Sequence, residues 1–199
     1  MAGTLTRITT VLVALLVGFA FVPDPTRLEY QASRLAAEPW RLVTSQLVHW
    51  STPMLVADAL LVGIAGAVVE RRSRALAGLA VGLAVAACAA AIVVSPGLLR
   101  YRGSSGIGTA LLVAGGLDLA VSGVEWRVRL AGAAALAIGA IKIVLEGACA
   151  SPLLPDGVVT ATAAHVGGAA AGAAAWMARD QGEHPPMPGV RGAPFDDVP

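Results

Sequence analysis

Charge is scarce in this chain. Of 199 residues only 14% are Asp, Glu, Lys or Arg, against 56% apolar, and the mean hydropathy is +0.73. That excludes an ordinary water-soluble domain, in which about a quarter of residues are charged, and makes the bilayer the solvent to reason about. The net charge is +1, and the few charges fall between apolar runs. Nucleic-acid binding needs a continuous basic surface that displaces counterions from phosphates, so a nucleic-acid partner is excluded. Cysteine is nearly missing too. Cys88 and Cys149 fall at different expected membrane depths, so no disulfide, no metal and no cofactor are expected. Aromatics are only 5% while Ala and Gly dominate, which suits helices whose backbones approach closely through small residues.

What is present is a series of apolar runs. The first, Leu5 to Val22, reaches roughly the minimum length for a span. It reads as a retained first helix rather than a signal peptide, because the small-residue cleavage pattern is poor and Pro23-Asp24-Pro25 reads as a helix stop. Residues 23–41 are mixed in charge, an interfacial loop or surface helix, and Trp40 and Trp50 suit headgroup depth as anchors. Further spans are expected at about Leu47–Val69, Ala75–Val94, Ser105–Val121, Val128–Leu145 and Val158–Met177. The spacing thus predicts an all-α, six-span polytopic membrane protein: a first transmembrane helix (1–22), an extracytoplasmic loop (23–46), a helix bundle (47–178) and a disordered tail (179–199).

Arg7, Arg71, Arg72, Arg74, Arg127, Arg129 and Arg179 fall on one side of this layout, which the positive-inside rule makes cytoplasmic. Ser105 and His165 then lie in the extracytoplasmic half, His165 roughly 10 Å below the surface if helix rises 1.5 Å per residue.

A serine hydroxyl is a weak nucleophile that needs a base within hydrogen-bonding reach, and a neutral imidazole is the usual partner. In Gly103-Ser104-Ser105-Gly106 the glycines let the chain bend, and a helix beginning there would aim free N–H groups at a developing oxyanion. The bland readings are an N-cap serine and packing glycines. A histidine inside a span is costly and points to function.

Taken together these motifs resemble the rhomboid family of intramembrane serine proteases. Gly103-Ser104-Ser105-Gly106 is similar to the family's Gly-x-Ser-Gly, implying Ser105 as nucleophile, with Ser104 and Gly106 beside the oxyanion. Ala164-His165-x-x-Gly168-x-x-x-Gly172 is similar to its histidine helix, implying His165 as base and Gly168 and Gly172 in packing against the serine helix. Within the family, Trp40-Arg41-Leu42-Val43-Thr44, Leu47-Val48-His49 and the tyrosine opening Tyr101-Arg102-Gly103 look most like rhombosortases. That resemblance implies a bacterial inner-membrane enzyme whose substrates are exported proteins with a C-terminal Gly-Gly-containing membrane anchor.

The chain also departs from the family. Where rhomboids commonly carry His-x-x-x-Asn on the second span, this sequence has Met54-Leu55-Val56-Ala57-Asp58, and Thr109-Ala110 stands where rhombosortases tend to have His-Gly. An ionised Asp58 would repel an oxyanion, so it must be protonated, turned away or paired, or else orient His165 as a third triad member. His49 is a candidate replacement donor. Asp118 reads as a pairing residue near the cytoplasmic face, and Lys142 with Glu146, four apart, as a snorkelling ion pair. Three functions remain: an intramembrane endopeptidase, a rhomboid-like pseudoprotease that binds membrane helices without cutting them, and a small transporter, which lacks the expected broken helices.

Overall fold

The computed structural model describes residues 6–148 and 162–183. In order these form α1 (Arg7–Phe19), β1 (Tyr30–Gln31), α2 (Arg41–Thr44), α3 (Thr52–Arg72), α4 (Arg74–Val94), β2 (Arg100–Tyr101), α5 (Ser105–Ser122), α6 (Trp126–Ala148) and α7 (Thr162–Glu183). Among the described residues, α3, α4, α5 and α6 are long and apolar enough to cross a membrane. A helix of 21 residues, the length of α3 and α4, rises ~31 Å, which matches the bilayer core.

Among the described residues four of the six expected spans qualify, and the six-span count is not confirmed; α1 and α7 complete the bundle. Helix α1 has 13 residues and reaches only ~20 Å. The apolar run continues to Val22, but the chain leaves the helix after Phe19 and closes in turns ahead of Pro23 and Pro25. Helix α7 has 22 residues but is diluted by Gly, His and polar side chains. It runs on to Glu183, so residues 179–183, expected in the tail, are helical. The link between the last two expected spans from residue 149 on, the start of the last apolar run and the remainder of the tail lie outside the described residues.

Helix α3 begins at Thr52, five residues later than hydropathy alone places it. Ser51 is extended and its hydroxyl accepts from Met54 N at 3.3 Å, while Pro53 sits in the first turn, where a missing N–H costs nothing. At the other end Ser73 closes α3 and caps α4, accepting from Leu76 N at 3.2 Å, so the two helices form a hairpin with a one-residue link.

Helix α5 is the central element and packs against α3, α4, α6 and α7. Its small residues make that possible. A Cβ at Gly168 of α7 would come within 2.9 Å of the Gly106 carbonyl carbon, and one at Gly172 within 3.0 Å of that of Ala110, so α7 lies backbone to backbone along α5. Val62, Val69, Leu76, Ala80, Ala84, Ile107, Leu111, Ala114 and Ala175 fill the core between the helices.

The all-α expectation misses one feature. β1 and β2 pair antiparallel, Tyr30 opposite Tyr101 and Gln31 opposite Arg100, tying the segment after α1 to the one before α5. At the opposite end, buried Asp118 of α5 binds Arg72 of α3 and Arg179 of α7, joining three helices through one carboxylate.

Candidate active site

Ser104 holds the N-cap position of α5, yet its hydroxyl makes no capping bond; it donates to Asp58 Oδ2 at 3.2 Å. Ser105 is therefore the first helical residue, and its side chain is free to turn toward α7. Its Oγ lies 2.5 Å from His165 Nε2, with both residues buried. The sharp entry into α5 depends on Gly103, whose φ of 139° is a conformation that side chains disfavour and whose added Cβ would meet Met54 Cε at 2.6 Å. The Gly103 carbonyl accepts from the Tyr101 hydroxyl at 2.8 Å. Burial pushes that phenol well above its ordinary value, so it remains a neutral donor.

The first N–H groups of a helix have no partner within it. At α5 these belong to Ser105 and the residues just after it, beside the hydroxyl that contacts His165. Gly106 serves the close approach: an added Cβ there would lie 2.9 Å from Ala164 O. The same carbonyl accepts from Cys88 Sγ at 3.3 Å, so α4, α5 and α7 converge one residue from His165.

Asp58 on α3 and His49 in the loop ahead of α3 flank Ser104. Asp58 Oδ2 accepts from Ser104 N at 2.9 Å and lies 3.1 Å from His49 Nε2, which is also 3.3 Å from Ser104 Oγ. A ring nitrogen facing a carboxylate oxygen carries the hydrogen, so His49 donates there. Asp58 is thus turned toward Ser104 and His49. The carboxylate beside His165 belongs instead to Glu146 of α6, whose Oε2 lies 2.8 Å from His165 Nδ1.

The sequence reading did not single out that contact. Lys142 and Glu146 do pair, with Lys142 Nζ 2.8 Å from each carboxylate oxygen, but the pair is not self-contained. An i, i+4 spacing on one helix explains a pair so completely that nothing in it points to a third residue on another helix.

A buried ionic cluster suspends the serine loop. Glu29, with no exposed surface, accepts from Arg102 Nε at 2.6 Å, from Arg100 Nη2 at 2.6 Å and from Gln31 Nε2 at 2.7 Å. Arg100 and Arg102 lie over the Trp50 ring at 5.2 and 4.3 Å, so Trp50 is a stacking platform rather than only a headgroup anchor. Trp40 is exposed, as an anchor requires. Gly103 N donates to Ser45 O at 3.0 Å, and Arg41 donates to the carbonyls of Thr26 and Glu29. A cleft of about 220 Å³ opens beside His49, between the end of α1 and the start of α3, lined by Phe19, Val22, Trp50, Ser51 and Thr52.

Residues 36–179 match the model of the rhomboid domain, which is most of the chain. The chain belongs to the rhomboid family. Rhomboids are in general intramembrane serine proteases that act on transmembrane substrates, and this rhomboid, with its four long apolar helices, is an integral membrane protein. A search among curated proteins finds no match to it.

Proposed function

We propose that this rhomboid is an active intramembrane serine endopeptidase that works with a Ser105–His165 dyad. The observation that carries the reading is the 2.5 Å contact between Ser105 Oγ and His165 Nε2 at the start of α5. Ser105 Oγ attacks the scissile carbonyl while His165 takes its proton, and the C–O bond formed makes a tetrahedral oxyanion. The free N–H groups of the first turn of α5 stabilise that charge. The C–N bond then breaks as His165 returns the proton to the leaving amine, and the acyl group remains on Ser105. Water entering by the cleft beside His49 gives a proton to His165 and attacks the acyl carbonyl; the C–Oγ bond breaks, Ser105 Oγ takes that proton back from His165, and the carboxylic product leaves.

Substrates must expose a peptide bond inside a bilayer, so they are membrane anchors with a small-residue segment that unwinds readily. The Tyr101-Arg102-Gly103 opening and the Trp40–His49 stretch favour the rhombosortase type. That type implies a bacterial inner-membrane enzyme acting near the extracytoplasmic face on a Gly-Gly-containing anchor.

The decisive experiment reconstitutes the purified protein in liposomes with such an anchor. Ser105→Ala and His165→Ala are each expected to lower cleavage by ~100-fold or more, in line with the contribution of positioned acid–base groups. Labelling by a fluorophosphonate should need both residues. Undiminished cleavage by Ser105→Ala would end the assignment, and absence of labelling in the parent would point to a pseudoprotease.

A further inference from the structure

We propose that Glu146, braced by Lys142, is a positioning residue for His165, so that the dyad works as a Ser105–His165–Glu146 line; the proposal rests on the endopeptidase reading. A neutral imidazole that accepts the Ser105 proton at Nε2 must carry its own hydrogen on Nδ1. In His165 that nitrogen is fully buried and needs an acceptor. Glu146 Oε2 stands 2.8 Å away, off the N–H axis but at contact distance. Catalytic hydrogen bonds often align only once substrate is bound.

The surroundings support this role. Glu146 sits near the end of a membrane-spanning helix, where a carboxylate is costly, and its side chain is only 20% exposed. A simple snorkelling pair would direct both charges to the surface, and neither oxygen would need to face α7. Instead Lys142 Nζ is equidistant from both oxygens at 2.8 Å, which fixes the carboxylate plane while one oxygen meets His165. Two consequences follow for the reaction. The carboxylate selects the tautomer with Nε2 unprotonated, and it stabilises the imidazolium formed when Ser105 gives up its proton. Both effects raise kcat, and neither touches substrate binding.

The test uses the full chain in liposomes with the same anchor substrate. Glu146→Gln should lower kcat by ~100-fold with KM and melting temperature unchanged, and Glu146→Asp should recover part of the loss. The fluorophosphonate labelling rate should fall in parallel, since it reports activation of Ser105 without any contribution from substrate docking. Glu146→Leu, uncharged and close in size, covers the case in which Gln disturbs the fold. A folded Leu variant with depressed kcat supports the proposal, and a folded Gln or Leu variant with parental kcat overturns it. If Ser105→Ala abolishes cleavage while Glu146→Gln does not, the positioning role falls and the endopeptidase reading stands. If Ser105→Ala cuts normally, the endopeptidase reading itself has failed.

Discussion

Asp58 Oδ2 meets three hydrogen-bonding groups at once: the Ser104 N–H, the Ser104 hydroxyl and His49 Nε2. An acceptor at this point fixes the residue immediately before Ser105, so its role is geometric, and its partners are Ser104 and His49 rather than the Ser105–His165 pair. Asn keeps a side-chain oxygen in nearly the same place, whereas Ala leaves a buried N–H without a partner at a cost of about 1–3 kcal/mol. Asp58→Asn is therefore expected to retain cleavage within a few-fold and to melt near the parent. Asp58→Ala should lose both stability and most of its activity. Thermal melting in detergent alongside the liposome assay checks this, and equal behaviour of the two variants would show that no acceptor is needed.

At the scale of elements, the segment between α1 and α3 is more than a linker, because it carries the counter-charges of the serine loop. Glu29, just ahead of β1, enters a fully buried position only because Arg100 of β2 and Arg102 just after it come with it. Breaking a buried pair from one side leaves a charge stranded, at a cost of about 3–5 kcal/mol. Glu29→Ala should thus lower the melting temperature clearly and reduce activity in step with it, because β2 leads directly into Gly103. Arg34→Ala offers the contrast: Arg34 is exposed, its pair with Glu38 is stretched to 3.5 Å and Glu38 keeps Arg41 as a partner, so melting should hardly change. The same segment shows what a sequence can convey. The long helices are legible because the bilayer dictates their length, and Gly103–Gly106 and His165–Gly172 are legible because each motif lies within one short stretch. The Glu29–Arg102 tie, the Asp58–Ser104 bond and the Glu146–His165 contact each join residues far apart in the chain, and no spacing rule connects them. The start of α3 is misplaced for a different reason, since Leu47 and Val48 are apolar but belong to the packed loop ahead of the Ser51 cap.

Across the whole molecule the site occupies one end of the bundle and an ionic clamp the other. Ser105, His49 and the Glu29 cluster lie where α4 ends and α5 begins; Asp118, Arg72 and Arg179 lie where α3 ends and α4 begins. Seven arginines fall at the clamp end: Arg7, Arg71, Arg72, Arg74, Arg127, Arg129 and Arg179. Five fall at the site end: Arg27, Arg34, Arg41, Arg100 and Arg102. The bias is modest in number but concentrated in the short links between spans, where it weighs most. Each of the five at the site end also has an acid beside it, Asp24, Glu29 or Glu38. The clamp end should accordingly face the cytoplasm. Leu99, 70% exposed in the loop before β2, and Val124, 97% exposed in the turn before α6, report the two faces. With Cys88 and Cys149 replaced by serine, Leu99→Cys should react with a membrane-impermeant thiol reagent on intact cells, and Val124→Cys only after the membrane is opened. The opposite pattern would place Ser105 toward the cytoplasm, where anchors of exported proteins could not present their outer ends to it.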